Sequence, residues 1–421
     1  MIGALARSTF DTSLILGLRL LTLAGSLILL THLMPPAIYG PYAALAALAT
    51  LLGLVPTLGC GYLMLAASAQ GREAVEDIWC GAWPASLGVA TVLLGGFLLL
   101  AHALGLDLHL SLAVTLGLGL IELVMMPLIL LCSWAHQAHH LVARGQLLQW
   151  LPLGLRLLAL LPCALIDSLS NLEAFIVGQV LAAGLALFMV LGLTLRGLNL
   201  SSTPRRLSFA QWRKGLTYCA MHMVAMNPSE IDKIVIAKVA SAHDAGIYAI
   251  TNRVLGALMT PVSALLLAAQ PRLFQLNSHS ANQSQTRLVR LLALFSALGG
   301  ACAAGALAIG SLALPWILGS SYSETATLAP LLACAALPLA LRISSGTILV
   351  ANGQPERRLV FEMSGIPVLL GLIIWLVPSY GLSGTAIALA GAEAFMAGVG
   401  WWLVFRTLRK QANAEDPCRR R

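Results

Sequence analysis

Apolar residues run along this chain in long uninterrupted blocks separated by short polar breaks. Taken between those breaks, the blocks place spanning segments near Phe10 to Leu33, Tyr39 to Ala67, Trp83 to His102, Leu112 to Trp134, Leu147 to Ile166 and Leu172 to Leu195. After a polar stretch the pattern resumes at Leu216 to Val239, Gly246 to Ala269, Leu288 to Leu312, Ala326 to Val350, Leu359 to Pro378 and Leu382 to Val404. Blocks of this kind are long enough to cross the roughly 30 Å hydrocarbon core of a bilayer, which takes about 20 apolar residues in a helix. No water is present there to satisfy a backbone, so each block must be helical. The pattern predicts an all-α polytopic membrane protein of about 12 transmembrane helices.

Composition removes the soluble alternative. Of 421 residues, 58% are hydrophobic and 10% charged, and the mean hydropathy is +0.86, where an ordinary soluble domain carries about a quarter charged residues. Arg7 precedes a long apolar run from Ser13 to Leu30 with no small-residue cleavage site before a polar region, so the first block reads as a retained span and not a signal peptide. The eight cysteines are scattered, mostly inside apolar runs, and never in a CxxC pair, which argues against structural zinc and against a disulfide framework.

The formal charge of +8 raises nucleic acid as a partner, but its distribution answers to topology instead. Every second connection is basic: Arg72; Arg144; Arg196, Arg205, Arg206, Arg213 and Lys214; Arg272, Arg287 and Arg290; Arg357 and Arg358; and the tail from Arg406 to Arg421. With Arg7 these account for 19 of the 25 cations, five more lie inside spans, and Lys238 alone sits near the other face. Cytoplasmic loops keep the excess of Lys and Arg, so an even number of spans with both termini cytoplasmic follows.

The longest internal polar break, Arg196 to Lys214, falls near the middle of the chain and divides it into an N-terminal six-helix lobe (1–200), a cytoplasmic linker (201–215), a C-terminal six-helix lobe (216–405) and a basic cytoplasmic tail (406–421). Gly40, Tyr42 and Ala43 open the second span, and Gly246, Tyr248 and Ala249 open the eighth at the same spacing. Duplicated halves are a common transporter build.

Three stretches carry a family resemblance. THLMPPAIYGPYAALAALATLLGLVPTLGCGY, from Thr31 to Tyr62, resembles the first hairpin of the polysaccharide-transport flippases, the Wzx-like branch of the MATE-type superfamily. Ile231 to Leu273 is similar to that family's seventh and eighth spans, with an acidic residue, a Gly-x-Tyr turn and a Pro-Arg exit, and VANGQPERR followed by VPSYGLSGTAIA is similar to its tenth-to-twelfth-span region. The resemblance implies a MATE-like fold of two six-helix lobes in a bacterial inner membrane. It also implies movement of a lipid-linked oligosaccharide from the cytoplasmic to the outer leaflet for a surface or secreted polysaccharide such as lipopolysaccharide. The partners implied are that substrate, membrane lipids and the polysaccharide polymerase machinery, with no nucleic acid, no cofactor and no metal.

Ionisable groups at bilayer depth are costly and face a cavity or a partner. Nine stand out: Arg19, Arg156, Lys233, Arg253 and Arg342 against Glu122, Glu230, Asp232 and Glu393. A polyprenyl pyrophosphate must bring two phosphates across a low-dielectric slab, and arginine forks suit phosphate oxygens. Arg19, Arg253 and Arg342 are the favoured substrate contacts, followed by Arg156 and Lys233. The four carboxylates are candidates for ion coupling. Against this stands mutual neutralisation: five cations and four anions nearly cancel, and Glu230 and Lys233 are spaced three apart for a direct pair. Pro228 would kink the seventh span or open a pocket beside His222 and Asn227. His136, His139 and His140 have tempting metal spacing but sit where a span meets the cytoplasm, as an interfacial polar cap. Gly117, Gly119, Gly299 and Gly300 lack the strand-to-helix setting of a phosphate loop and read as close-packing points.

Two other functions fit a chain of this kind. A small-molecule antiporter of the same superfamily needs the same two lobes, although bilayer-depth arginines favour an anionic substrate. A membrane polymerase or ligase of lipid-linked sugars would need a sizeable outward loop with catalytic residues, and the connections around Asp107, Asp167 and Ser320 to Glu324 are short.

Overall fold

The structure, a computed structural model, describes residues 2–106, 110–166, 171–201, 203–226, 228–266, 269, 273 and 282–419. Among these there are helices and turns and no strand. Each apolar block of the sequence has its helical counterpart. They are α1 (Ile2–Leu33), α2 (Pro36–Gln70), α3 (Arg72–Ala103), α4 (Leu112–Ala138), α5 (Val142–Leu165), α6 (Leu172–Leu198), α7 (Phe209–Met226), α8 (Pro228–Val239), α9 (Ala242–Leu266), α10 (Asn282–Gly310), α11 (Thr325–Ala351) and α12 (Pro355–Arg419).

Among the described residues nine helices are long and apolar enough to cross a membrane, and the stretch Gly17–Leu33 of α1 is a shorter apolar helix. One of the nine, in α12, is interrupted at Gly381, whose φ of 54° and ψ of −132° are not helical. Its arms correspond to the last two predicted spans, which were separated between Pro378 and Leu382. The seventh span is the pair α7 and α8, the latter opening on Pro228, where a missing N–H costs nothing. Asn227, Asp107, Asp167 and Arg272 lie outside the described residues, as does the side chain of His222.

The chain forms two compact units, residues 1–234 and 235–421. In the first, α1 packs on α5, α5 on α4 and α6, and the second half of α2 on α3 and α4. In the second, α11 packs on α10, α9 and α12. Glycines admit the close crossings. A β-carbon on Gly300 would stand 2.8 Å from that of Ala340, and one on Gly117 would stand 2.6 Å from Ile176 Cγ1, so both are packing positions as their sequence setting suggested. Outward side chains are apolar and bare, with Phe188, Ile309 and Trp316 exposed by 78%, 81% and 89%. Such a surface suits lipid and not water.

Helix α3 begins at Arg72, well before the apolar run that starts at Trp83, because its polar first turns have a partner. The connection after α6 lies along them. Arg205 N–H donates to the Cys80 carbonyl at 2.9 Å, Ser201 N–H to Glu76 Oε1 at 3.0 Å, and Arg205 pairs with Asp77. Leu207 packs where Gly81 has no side chain. This part of the expected linker is therefore strapped to the first unit.

Helix α2 breaks midway. Leu58 and Gly59 both have left-handed backbone, at φ of 51° and 62°. Only glycine fits at the second position, because a β-carbon there would be 2.2 Å from the Gly215 carbonyl of α7.

Candidate functional site

In the first unit the sequence spaces Glu122, Arg156 and Gln179 across three successive spans, and the packing of α4, α5 and α6 brings them together. Arg156 Nη1 lies 3.1 Å from Glu122 Oε1, and its Nε donates to Gln179 Oε1 at 2.8 Å. Gln179 Nε2 donates in return to the Arg156 carbonyl at 2.9 Å. Glu122 and Arg156 are each 18% exposed, so the pair is largely desolvated but open to one side. Glu122 stands on a π-helical turn, Leu120–Met125. Pro127, just beyond it, supplies no N–H for the Leu123 carbonyl, and a widened turn accommodates that loss. Helix α2 crosses closely here, with Gly53 against the Glu122 carbonyl.

Also in this unit, Lys233 Nζ is 2.7 Å from Glu230 Oε2, the i,i+3 pair that the spacing predicted. Asp232 is fully buried, and its Oδ1 accepts the Lys233 N–H at 2.7 Å.

The second unit holds a four-charge cluster. Arg342 of α11 donates through Nε to Glu393 Oε2 at 2.6 Å and lies 3.6 Å from Glu362 Oε1. Arg358, one turn before Glu362 on α12, completes it at 3.1 Å. Arg342, Glu362 and Glu393 are 7%, 1% and 3% exposed. Arg358 folds back along a gap in α11, where a β-carbon on Gly346 would be 3.0 Å from its Nε. Nearer the chain's end, Arg357 Nη1 donates to Thr407 Oγ1, which donates to Gln354 Oε1, tying the two arms of α12 together.

Sequence reading singled out Arg342, Glu393, Glu122 and Arg156, but not Glu362, Arg358 or Gln179 as members of these clusters. The first had a signal: a glutamate inside the apolar run from Leu359 to Pro378, four residues after an arginine. Gln179 carried none, being a neutral side chain in an apolar block.

Arg19 on α1 and Arg253 on α9 are exposed. The three other cations named from the sequence are held by carboxylates in the pairs above. The His136 and His139 rings each lie against a carbonyl of the preceding turn, of Cys132 at 3.1 Å and Ala135 at 2.8 Å, as an interfacial cap would.

This arrangement, of lipid-facing helices with charge clusters buried inside each unit, is that of a polytopic helical membrane protein, and solved transporter structures share its fold. A multidrug resistance MATE family transporter of the MOP superfamily, in an inward-facing conformation, is 12% identical and superposes with a TM-score of 0.76 over 94% of this chain and 96% of that one. An outward-facing structure of a multidrug resistance MATE family transporter is 10% identical, with a TM-score of 0.64 over 97% and 96%. A MOP superfamily transporter from Pyrococcus furiosus, described as having a binding pocket of reverse polarity, is 12% identical, with a TM-score of 0.63 over 96% of each chain. At these identities the likeness establishes the fold. Residues 29–327 match the family model described as polysaccharide biosynthesis protein, and the chain belongs to that family. The resemblance read from Thr31 to Tyr62 and from Ile231 to Leu273 lies within the matched residues. Comparison with curated proteins finds no match.

Proposed function

We propose that this protein is a flippase. It carries a polyprenyl-pyrophosphate-linked oligosaccharide from the cytoplasmic to the outer leaflet of a bacterial inner membrane, for a surface or secreted polysaccharide. Its lobes, 1–200 and 216–405, alternate access about the 201–215 connection, and both termini and the basic 406–421 tail face the cytoplasm, in keeping with the one-sided distribution of positive charge.

The observation that carries this reading is the exposure of Arg19 and Arg253 on membrane helices. An arginine turned to hydrocarbon would be costly, so an exposed one within a span serves a water-filled path or an anionic passenger. Arg156, Lys233 and Arg342 form a second rank of phosphate contacts, the first two becoming available when one carboxylate is released and Arg342 when two are. Glu122, Glu230 and Glu393 are suited to ion coupling for the same reason: a carboxylate that takes a proton lets go of its cation. Asp232, fully buried on α8, is the fourth such group.

The test reconstitutes purified protein in liposomes with a fluorescent polyprenyl-pyrophosphate oligosaccharide and follows transbilayer movement for wild type, Arg19→Ala and Arg253→Ala at matched folding. Loss of movement in the variants supports the cationic flippase. Unchanged movement discards the two arginines and keeps the flippase, whereas no movement by wild type points to the small-molecule antiporter.

A further inference from the structure

Helices α1 and α5 flank an open groove of about 350 Å³, whose Leu21 and Leu158 are 72% and 58% exposed. We infer that it is the seat of an isoprenoid tail whose phosphate is met by Arg19 on the groove's flank. The inference rests on the flippase reading and adds where the lipid part of the passenger is held.

Leu18 and Leu21 form one wall, and Leu151, Leu155 and Leu158 the other. Two polar groups enter the lining and both are occupied. Trp150 Nε1 donates to Thr22 Oγ1 at 2.9 Å, and that hydroxyl donates to the Leu18 carbonyl at 2.8 Å. The groove therefore offers nothing to a sugar, and its leucine-lined surface matches a branched hydrocarbon. From Val142, helix α5 reaches Trp150 after about 12 Å and Leu158 after about 24 Å of rise, which sets the groove in the middle of a bilayer about 30 Å thick.

Arg19 directly follows Leu18 and comes one turn before Thr22, so it stands beside the groove at the same depth. It is exposed and has no carboxylate partner among the described residues. An ordinary phospholipid keeps its phosphate at the interface, far from this level. A lipid whose headgroup passes through the bilayer places a phosphate at this depth with its tail still in hydrocarbon. A cation beside a dry, branched-apolar groove is complementary to that lipid and to no sugar or water-soluble drug.

The experiment measures binding of fluorescent polyprenyl monophosphate, and of fluorescent phosphatidylglycerol as a separate probe, to the full-length protein in nanodiscs. The variants are Leu158→Trp, which fills the groove, Leu158→Ala, which widens it, and Arg19→Gln. Size-exclusion profile and melting temperature establish folding for each. Polyprenyl phosphate affinity should fall about tenfold in Leu158→Trp and in Arg19→Gln, a tenfold change being about 1.4 kcal/mol, while Leu158→Ala retains binding and phosphatidylglycerol is unaffected throughout. Equal polyprenyl phosphate binding by wild type and Leu158→Trp overturns the assignment. So does a parallel loss of phosphatidylglycerol, which would mark an annular lipid site. Oligosaccharide movement measured on the same preparations separates the two readings. Movement that persists in Leu158→Trp while the lipid no longer binds sinks the groove alone; selective lipid binding with no movement by wild type sinks the flippase alone.

Discussion

Removing Arg342 should be among the most damaging single changes in the second unit, and the damage should be reversible by a second substitution. Its guanidinium is 2.6 Å from Glu393 and 3.6 Å from Glu362. At an effective dielectric of about 20, those contacts amount to roughly 6 and 5 kcal/mol of gross attraction. Desolvation of each ion opposes this by several kcal/mol, so the net value of the intact cluster is small while the cost of breaking it is about 3–5 kcal/mol. The charge count sharpens the expectation. With all four groups ionised the cluster is neutral: Arg342→Met leaves it at −1, Glu393→Gln leaves it at +1, and the double variant restores zero through the remaining Arg358 and Glu362 pair. Each single variant should therefore lose about 3–5 kcal/mol, and the double variant should be more stable than either, with a coupling energy of about 2 kcal/mol or more. Heating detergent-purified protein and scoring the folded fraction by size exclusion gives the order of the four melting temperatures. A double variant no more stable than the worse single one would refute the neutral-cluster argument.

Two packing predictions stand on glycines of the first unit. A β-carbon on Gly61 would fall 1.4 Å from Trp134 Cε3, so Gly61→Ala must displace the indole and should cost about 1–3 kcal/mol. Combining it with Trp134→Leu should cost less than the sum of the two changes, since the ring it collides with is gone, and strict additivity of the melting shifts would contradict the contact. Gly59 and Gly71 both have positive φ, but only Gly59 faces backbone, so Gly59→Ala should lose several kcal/mol to strain and collision where Gly71→Ala loses about 1–3 kcal/mol to strain alone. Equal losses at the two positions, read from thermal unfolding, would show that strain alone decides.

The architecture was legible because the membrane allows so few solutions. Once a run from Ala174 to Leu195 lacks charge and is long enough to span, helix is the only backbone that satisfies itself there, and α6 duly covers it. Helix ends were less legible. Helix α3 extends toward Arg72 because Glu76 and Asp77 answer groups far along the chain, which no local pattern contains. The i,i+3 pair of Glu230 and Lys233 could be read from spacing, whereas Glu122 and Arg156 meet only because α4 packs on α5. The break in α2 was hidden for another reason. Leu58 gives no sign of a left-handed backbone, and the need for glycine at position 59 comes from α7.

Both units join their last spans by buried charge. In the first, Arg156 on the fifth span holds Glu122 on the fourth and Gln179 on the sixth. In the second, Arg342 on the tenth holds Glu362 on the eleventh and Glu393 on the twelfth. The two halves place the arginine differently, on the middle of three successive spans in the first unit and on the first of three in the second, yet in each it ties three neighbouring helices together. Stitching of this kind is directional where apolar packing between membrane helices is not, and it resists sliding of one helix past another. The two clusters differ in one respect that bears on mechanism. Arg156 shares its second contact with a neutral amide, and it is 18% exposed at the side chain, whereas Arg342 has two carboxylates and is nearly sealed. An anion competing for an arginine would displace one carboxylate in the first unit but two in the second. Of the paired arginines, Arg156 is therefore the more easily released from its carboxylate and Arg342 the more tightly held.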